Sequence, residues 1–322
     1  MKLLFGCGYL GSRVAALWQA AGEPVTIVTR SASKAEQFRN AGYAALIADV
    51  CEPATLAELP PAETVLFAVG YDRRDAGARS IEQVYGDGVR NVLDAMGNGE
   101  WGMGNASKLS DLRSDIPHSP FPTPHFCYIS STGVYGDADG EWVDEATPCR
   151  PLREGGRACL AAEQAIADHP LGARSVVLRL AGIYGPDRIP RAEALRRGEP
   201  IDAPADGFLN LIHVDDAARI VLDVERLAQA KKITTPRTYC VADGHPGLRR
   251  DYYAELARLL DAPSPRFVEP AAASPAALRA GADKRISNAR LVREVAPTFA
   301  YPSFREGLAA IVAQKSRGGT AY

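Results

Sequence analysis

Three glycines near the beginning of the sequence have the spacing of a phosphate-binding loop. Residues 6–11 read Gly-Cys-Gly-Tyr-Leu-Gly, after a short apolar run and before a stretch with helical periodicity. In such a loop the first glycine permits a tight turn, the second lets the backbone approach a diphosphate, and the third lets a helix pack closely on a strand. The N–H groups that begin the helix would then bind the phosphates. We therefore predict a dinucleotide site formed by Gly6, Gly8, Tyr9, Leu10 and Gly11.

The residues that follow the second predicted strand would choose between NAD and NADP. NAD sites usually place an acidic residue about 20 positions further on, where it binds the ribose hydroxyls. This chain has Thr29, Arg30 and Ser31 there, and Arg30 stands 19 residues after Gly11 (30 − 11). A guanidinium flanked by hydroxyls suits a 2′-phosphate, whereas a solvated arginine at a strand end would give the same pattern. The sequence favours NADP over NAD.

Candidate catalytic side chains lie in the middle of the chain. Residues 128–136 read Tyr-Ile-Ser-Ser-Thr-Gly-Val-Tyr-Gly. Ser131 could hydrogen-bond a substrate oxygen and Tyr135 could supply a phenol, or hydroxyls here could simply close the strand end and cap local backbone. Arg157, one turn into the next predicted helix, could face the nicotinamide or an anionic substrate, or be a solvated surface arginine.

Other polar clusters carry weaker signals. His213 precedes Asp215 and Asp216, but no third ligand has suitable spacing and acidic residues at a helix start are normally caps, so we predict no metal site. The pair Lys284-Arg285 could reach a phosphate of substrate or cofactor, or could be a charged surface. The six cysteines are scattered and form no C-x-x-C pair, so we expect them to be small buried side chains rather than metal ligands or disulfides.

Composition narrows the class of protein. The chain has 322 residues, of which 46% are hydrophobic, and its formal net charge is −2. Such a balance predicts no attraction to nucleic acid or to an anionic membrane. The sequence shows no apolar run long enough for a membrane helix and no secretory signal. We expect a cytoplasmic protein whose partner is a small molecule.

Strands and helices alternate along the sequence, which predicts βαβ units and a parallel sheet. The predicted strands are residues 2–5, 25–29, 44–48, 64–69, 125–130, 175–180 and 238–241, and the main predicted helices are 9–21, 33–41, 80–96, 155–168, 214–229, 250–261 and 303–315. The fold class is therefore α/β, a doubly wound, mostly parallel Rossmann-type sheet with a smaller C-terminal substrate lobe.

The sequence also predicts a division into domains. Residues 1–183, with 213–243, would form the dinucleotide-binding domain, and residues 184–212 and 244–315 the smaller lobe. Residues 97–124 change abruptly to Gly, Asn, Ser and Pro, which indicates a surface insertion. That insertion could be a docking element or a disordered excursion.

Several segments, in the right order, resemble the extended type of the short-chain dehydrogenase/reductase superfamily, the NAD(P)-dependent nucleotide-sugar epimerases and dehydratases. The matching segments are the glycine loop, Asp49-Val50, Ala68-Val69-Gly70, residues 128–136, residues 178–186 and residues 211–216. The resemblance implies that Asp49 and Val50 contact adenine, that Ala68, Val69 and Gly70 face the cofactor, and that Ser131 takes the family's catalytic Ser/Thr position.

One departure from the family pattern concerns its catalytic pair. The family expects a Tyr and a Lys four residues apart, at positions where this chain has Gly155 and Cys159. The Lys lowers the pKa of the Tyr so that it can transfer a proton. The chain therefore resembles the atypical, epimerase-like branch that lacks this pair.

Two functions stay open on this reading. The first is an NAD(P)-dependent oxidoreductase, epimerase or dehydratase with non-standard catalytic residues, acting on an unknown small molecule that could be a sugar nucleotide. The second is a non-catalytic NADP(H)-binding sensor. Extended-type relatives often dimerise, so the resemblance also favours a homodimer.

Overall fold

The computed structural model describes residues 1–72, 79–98, 124–230, 233, 235–272 and 274–318. The predicted surface insertion at 97–124 lies almost wholly outside these residues. In the described part of the chain there are fifteen strands: β1 (Lys2–Phe5), β2 (Val25–Thr29), β3 (Ala44–Ile47), β4 (Thr64–Phe67), β5 (His125–Ser131), β6 (Trp142–Val143), β7 (Ser175–Leu180), β8 (Gly182–Tyr184), β9 (Ile201–Asp202), β10 (Phe208–Leu209), β11 (Leu211–His213), β12 (Arg237–Val241), β13 (Gly247–Leu248), β14 (Phe267–Val268) and β15 (Arg285–Ile286).

Ten α-helices connect these strands. They are α1 (Gly11–Ala20), α2 (Ala32–Asn40), α3 (Gly88–Asn98), α4 (Glu154–Asp168), α5 (Ala192–Arg196), α6 (Val214–Gln229), α7 (Arg249–Leu260), α8 (Pro275–Ala280), α9 (Ala289–Val295) and α10 (Phe304–Gly318), all within the described residues. A wider, π-helical turn at Gln83–Asp87 leads into α3, inside the helix predicted over 80–96. None of the helices described is long and apolar enough to cross a bilayer.

Seven strands form one central sheet in the order β12-β7-β5-β4-β1-β2-β3. The pairs β1–β2, β2–β3, β1–β4 and β4–β5 are all parallel, with Lys2 opposite both Val25 and Thr64. Every residue of β1 and β4 is buried, as expected where helices cover both faces of a parallel sheet. The predicted Rossmann-type fold is confirmed.

Contacts within the chain group it into two compact units. The first unit is Met1–Ser130, Arg157–Leu178 and Val221–Thr238, and the second is Ser131–Gly156, Arg179–Ile220 and Tyr239–Tyr322. Each unit has its own hydrophobic core. The core of the first is centred on side chains of β1, β4, β5 and α3, and that of the second on side chains of α7 and α10.

A buried polar network ties the start of the sheet to α6 inside the first unit. Glu225 of α6 accepts hydrogen bonds from the Trp18 indole at 2.7 Å and from the Thr64 hydroxyl at 2.6 Å. Its carboxylate also lies 2.5 Å from the Lys2 ammonium, which is 1% exposed. Every polar group that Glu225 meets is a donor, so its charge is fully matched.

We expect Glu225→Ala to destabilise the protein by about 3–5 kcal/mol, because removing one partner of a buried ion pair leaves the other charge uncompensated. Urea unfolding measures this. Glu23→Ala is the matched control, since Glu23 reaches the same ammonium at 3.7 Å from a partly exposed position, and its loss should cost less than about 1 kcal/mol. Equal losses for the two variants would contradict the assignment.

Candidate cofactor and substrate sites

The turn between β1 and α1 depends on two glycines that pack against backbone. Gly6 has a φ of +87°, and a side-chain Cβ there would lie 2.3 Å from the carbonyl oxygen of Ala68. A Cβ on Gly11 would lie 2.3 Å from the carbonyl oxygen of Gly6. Both distances are shorter than any real contact, so only glycine permits this approach of β1, α1 and the end of β4.

Gly8 has a different environment from the other two loop glycines. It is exposed, and a Cβ at this position would meet nothing within 4 Å. Its own N–H donates to Gly6 O and its carbonyl accepts from Ser12 N, both at 2.9 Å. The side chain of Leu10 is buried, and the Tyr9 ring is covered by the guanidinium of Arg13. The polar groups of the Gly8 backbone are thus bonded within the loop, whereas the space beside its Cα, just before α1, is open to an approaching ligand.

The predicted cofactor-selecting residues follow β2. The Thr29 hydroxyl accepts the N–H of Ser31 at 3.3 Å, and the Ser31 hydroxyl accepts the N–H of Lys34 at 3.3 Å, which caps α2. Arg30 between them is exposed. The two hydroxyls thus accept hydrogen bonds from local backbone.

The Asp49 carboxylate is already engaged on both oxygens. One oxygen accepts the N–H of Cys51 at 2.9 Å, and the other is paired with Arg79, which also contacts Glu52 at 2.6 Å. The hydrogen bond to Asp49 raises the pKa of the Arg79 guanidinium above its usual value. Sequence reasoning missed Arg79, because the two residues are 30 positions apart and share no motif.

The remaining predicted cofactor positions lie beside the glycine loop or near Asp49. Ala68 and Val69 are half-buried after β4, and Gly70 is exposed with nothing within 4 Å of an added Cβ. Val50 is buried, and its carbonyl accepts a hydrogen bond from the Asn91 side chain at 2.8 Å. Val50 therefore packs into the core, whereas Gly70 is accessible.

Ser131 is the last residue of β5. Its oxygen accepts the N–H of Gly133 at 3.0 Å, which forms the short 3₁₀ turn Thr132–Val134. A hydroxyl that accepts one hydrogen bond still has its own proton to donate. Ser131 is half-buried, so both predicted roles, holding the strand end and binding a substrate oxygen, fit its position.

Tyr135 lies inside a buried polar network rather than at an open surface. It is 2% exposed, and its hydroxyl accepts a hydrogen bond from Arg179 at 2.8 Å and lies 3.2 Å from the Cys240 sulfur. Burial raises the pKa of the Tyr135 phenol well above its usual value. These contacts favour a structural role for Tyr135 over the predicted catalytic one.

Helix α4 carries the positions where the family has its Tyr and Lys. Cys159 is buried beside Tyr128, and burial raises the pKa of that phenol strongly. A Cβ on Gly156 would lie 2.2 Å from the carbonyl oxygen of Gly133, so the start of the helix packs directly on the turn after Ser131. Arg157 is an exposed side chain of the first turn.

The thiols and acidic groups described form no metal site. All six cysteines are free thiols, and no three His, Cys, Asp or Glu side chains in the described residues are placed to hold a metal ion. His213 is buried with its ring 3.8 Å from that of Tyr301. Asp216 accepts the backbone N–H groups of Ala300 and Tyr301, both at 2.9 Å. These contacts give both residues a packing role.

Comparison with known proteins agrees with the parallel sheet and the glycine loop described above. A model of the NAD dependent epimerase/dehydratase family matches residues 3–242. The chain belongs to this family. A Methylobacillus flagellatus structure, provisionally described as an NAD-dependent epimerase/dehydratase, is 30% identical, with a TM-score of 0.70 and 98% of each chain covered.

Two further relatives show how far the similarity extends. Protein YeeZ of Escherichia coli K12 is 27% identical over 304 residues, which cover 93% of this chain and 95% of that protein. The UDP-glucose 4-epimerase of Thermotoga maritima, solved with UDP-glucose, shares the fold with a TM-score of 0.73 at 17% identity, over 99% of each chain. The resemblance recognised in the sequence is confirmed at the level of family and fold.

A buried acid that sequence reasoning missed follows β12. Asp243 is 4% exposed, and one of its oxygens accepts the N–H of His245 at 2.9 Å. Burial raises the pKa of Asp243 from 3.8 to about 7, and the nearby acids Glu306 and Asp216 add to the effect. Between about pH 4 and 7 the folded chain therefore holds a proton that the unfolded chain has lost, so stability falls as pH rises.

We expect Asp243→Asn to be more stable than the native chain at pH 8, by about 1–4 kcal/mol, since one pKa unit corresponds to about 1.4 kcal/mol. The two proteins should converge as the pH falls below 3.8, where native Asp243 becomes neutral in the unfolded as well as the folded state. Urea unfolding at several pH values measures this, with exposed Asp202→Asn as control. A variant that is less stable at pH 8 would contradict the prediction.

Proposed function

We propose that this chain binds NADP(H) through its glycine loop. The observation that carries the proposal is the contrast between the three glycines. At Gly6 and Gly11 a backbone carbonyl occupies the space that a Cβ would take, whereas at Gly8 that space is open. A diphosphate needs this arrangement, because its oxygens must approach the N–H groups at the start of α1 without meeting a side chain. The residues present therefore fit the cofactor that the family name implies.

The preference for NADP rests on Arg30. No acidic residue occupies the three positions after Val28, and the hydroxyls of Thr29 and Ser31 each accept a hydrogen bond from a local backbone N–H. The exposed guanidinium of Arg30 can pair with a 2′-phosphate, whereas the ribose hydroxyls of NAD lack the carboxylate they usually meet.

For the reaction, we propose an oxidoreductase, epimerase or dehydratase acting on a small molecule. When bound, the nicotinamide supplies hydride transfer, so the protein must place the substrate and manage a proton. Ser131 can donate its hydroxyl proton in a hydrogen bond to a substrate oxygen. A sugar nucleotide is the first substrate class to assay, because the Thermotoga maritima epimerase of the same fold was solved with UDP-glucose.

The second candidate function is a non-catalytic NADP(H) sensor, and one observation favours it. Cys159, at the position of the family's Lys, is buried beside Tyr128 and carries no charge that could activate a phenol. Turnover of NADPH with a carbonyl or sugar-nucleotide panel would decide for the enzyme, provided that Ser131→Ala lowers it. Tight NADPH binding without turnover would decide for the sensor.

Gly8→Ala tests cofactor binding without disturbing the fold. An added Cβ meets nothing in the protein, so unfolding should be unchanged, but it would lie where the diphosphate approaches. We expect the dissociation constant for NADPH, measured by calorimetry, to rise about tenfold or more, the equivalent of at least 1.4 kcal/mol. Gly97→Ala in α3, where an added Cβ also fits, is the matched control and should bind NADPH normally.

Gly11→Ala should behave in the opposite way to Gly8→Ala. Its Cβ would clash with the Gly6 carbonyl, so we expect a loss of about 1–3 kcal/mol in unfolding free energy. If Gly8→Ala bound NADPH as tightly as the native chain, the diphosphate would not lie at this loop.

Arg30→Asp tests the choice of cofactor. The substitution replaces the guanidinium with the carboxylate that binds ribose hydroxyls in NAD sites. We expect the ratio of NADPH to NADH affinity to fall at least about tenfold, because one charge-assisted pair contributes about 1.5–3 kcal/mol. Competitive titration with both nucleotides measures the ratio, and an unchanged ratio would contradict the role of Arg30.

A further inference from the structure

A lysine of the second unit is buried in an unusual setting. Lys284, just before β15, is 7% exposed. Its ammonium donates hydrogen bonds to the carbonyl oxygens of Gly136 at 3.3 Å and Ala282 at 3.2 Å. Both acceptors are neutral. The sequence offered this residue as a charged surface or as a phosphate contact, and its burial removes the first alternative.

Lys284 has no ion-pair partner among the residues that the structure describes. Asp137 and Asp283 act to raise the pKa of the amine, but each does so less than burial and Arg153 lower it. Each already accepts a backbone hydrogen bond, Asp137 from Asp283 N at 2.9 Å and Asp283 from Phe208 N at 2.7 Å. A buried charge without a counter-charge is costly, so an anion that bound from outside the chain would stabilise this ammonium.

A second cation lies close to the first. Arg153 acts on Lys284 as a like charge, and together with burial it lowers the pKa of the amine to about 8. Two cations that repel each other are not a stabilising pair within the protein. An anion that binds to both cations offsets their repulsion.

Ser131 and Arg153 meet at one corner of the second unit, beside Gly133, and Lys284 contacts the carbonyl of Gly136 three residues further along the chain. A Cβ on Gly133 would lie 3.2 Å from the Ser131 hydroxyl oxygen and 3.5 Å from a guanidinium nitrogen of Arg153. The absence of a side chain at Gly133 therefore lets the hydroxyl and the guanidinium approach the same point. Arg153 is exposed, so this corner can be reached from solvent.

We propose that Lys284 and Arg153 bind an oxyanion of the substrate, a phosphate or a carboxylate, beside Ser131. The inference rests on the proposed function and deepens it by naming the substrate class, a small molecule with an anionic group. Ser131 would donate to a neutral oxygen of the same molecule. Lys284 holds the charge and Arg153, with its planar donors, fixes the orientation.

Sulfate is the probe for this site, because its charge stays constant between pH 6 and 10. Calorimetric titration of the full chain without nucleotide should show saturable binding. Only the ammonium form of Lys284 attracts the anion, so the apparent affinity should be constant below pH 8 and fall about tenfold for each pH unit above it. The charged groups that act on this amine are Arg153, Asp137 and Asp283.

Lys284→Met separates binding from support of the fold. The methionine keeps the volume but removes a buried charge that has no ion-pair partner among the described residues, and so removes the cost of burying that charge. We expect sulfate binding to weaken at least tenfold while the unfolding temperature without sulfate is unchanged or higher. If the lysine were only a clamp between two carbonyls, the variant would lose stability and keep its sulfate affinity, which would overturn the proposal.

Two arginine variants complete the test. Arg153→Gln changes an exposed side chain, so it should fold normally and weaken sulfate binding. Arg258→Gln is the matched control, because Arg258 is exposed and paired with Glu255 at 2.6 Å on its own helix, and it should bind sulfate like the native chain. Equal effects of the two variants, or no saturable binding by the native chain, would overturn the site.

Titration with methyl phosphate and with acetate then distinguishes the two sources of the oxyanion, the tighter ligand identifying a phosphorylated or a carboxylic substrate. These measurements contain no nucleotide, so they are independent of cofactor binding. Sulfate binding that fails while NADPH still binds overturns the oxyanion site alone. NADPH binding that fails while sulfate still binds overturns the proposed function alone.

Discussion

The candidate cofactor site depends on a close backbone approach in the first unit. The carbonyl of Ala68 and the carbonyl of Gly6 each occupy the space that a side chain would take, at Gly6 and Gly11 respectively. This contact fixes β1, β4 and α1 at a separation that no other residue type permits. As a consequence the loop leads straight from β1 into the first turn of α1, and the open side of Gly8 lies at the entrance to that turn, where the N–H of Ser12 donates to the Gly8 carbonyl.

The sequence predicts the elements of the central sheet well, because their signals are local. The periodicity of α6 gave the observed bounds of 214–229, and β1, β2 and β7 also lie where the pattern of apolar residues put them. The short strands of the second unit were not predicted. β10 and β13 contain two residues each and pair with each other although β11, α6 and β12 lie between them in the chain, so nothing in either dipeptide indicates a strand.

The same distinction between local and distant signals applies to the site. The glycine loop is a local pattern, and its three glycines have the environments that the spacing implies. The pairing of Arg79 with Asp49, the raised pKa of Asp243 and the burial of Lys284 depend on residues brought together from far along the chain, and no spacing rule reports them. Tyr135 shows the converse, since its motif suggested chemistry while its contacts with Arg179 and Cys240 indicate support of the fold.

The central claim is that the amides at the start of α1 bind the diphosphate of a nicotinamide nucleotide. A crystal structure determined after soaking with NADPH tests it most directly. The account predicts electron density for the diphosphate within hydrogen-bond distance of the first N–H groups of α1 and against Gly8, with the 2′-phosphate near Arg30. Density elsewhere, or none at this loop under saturating nucleotide, would contradict it.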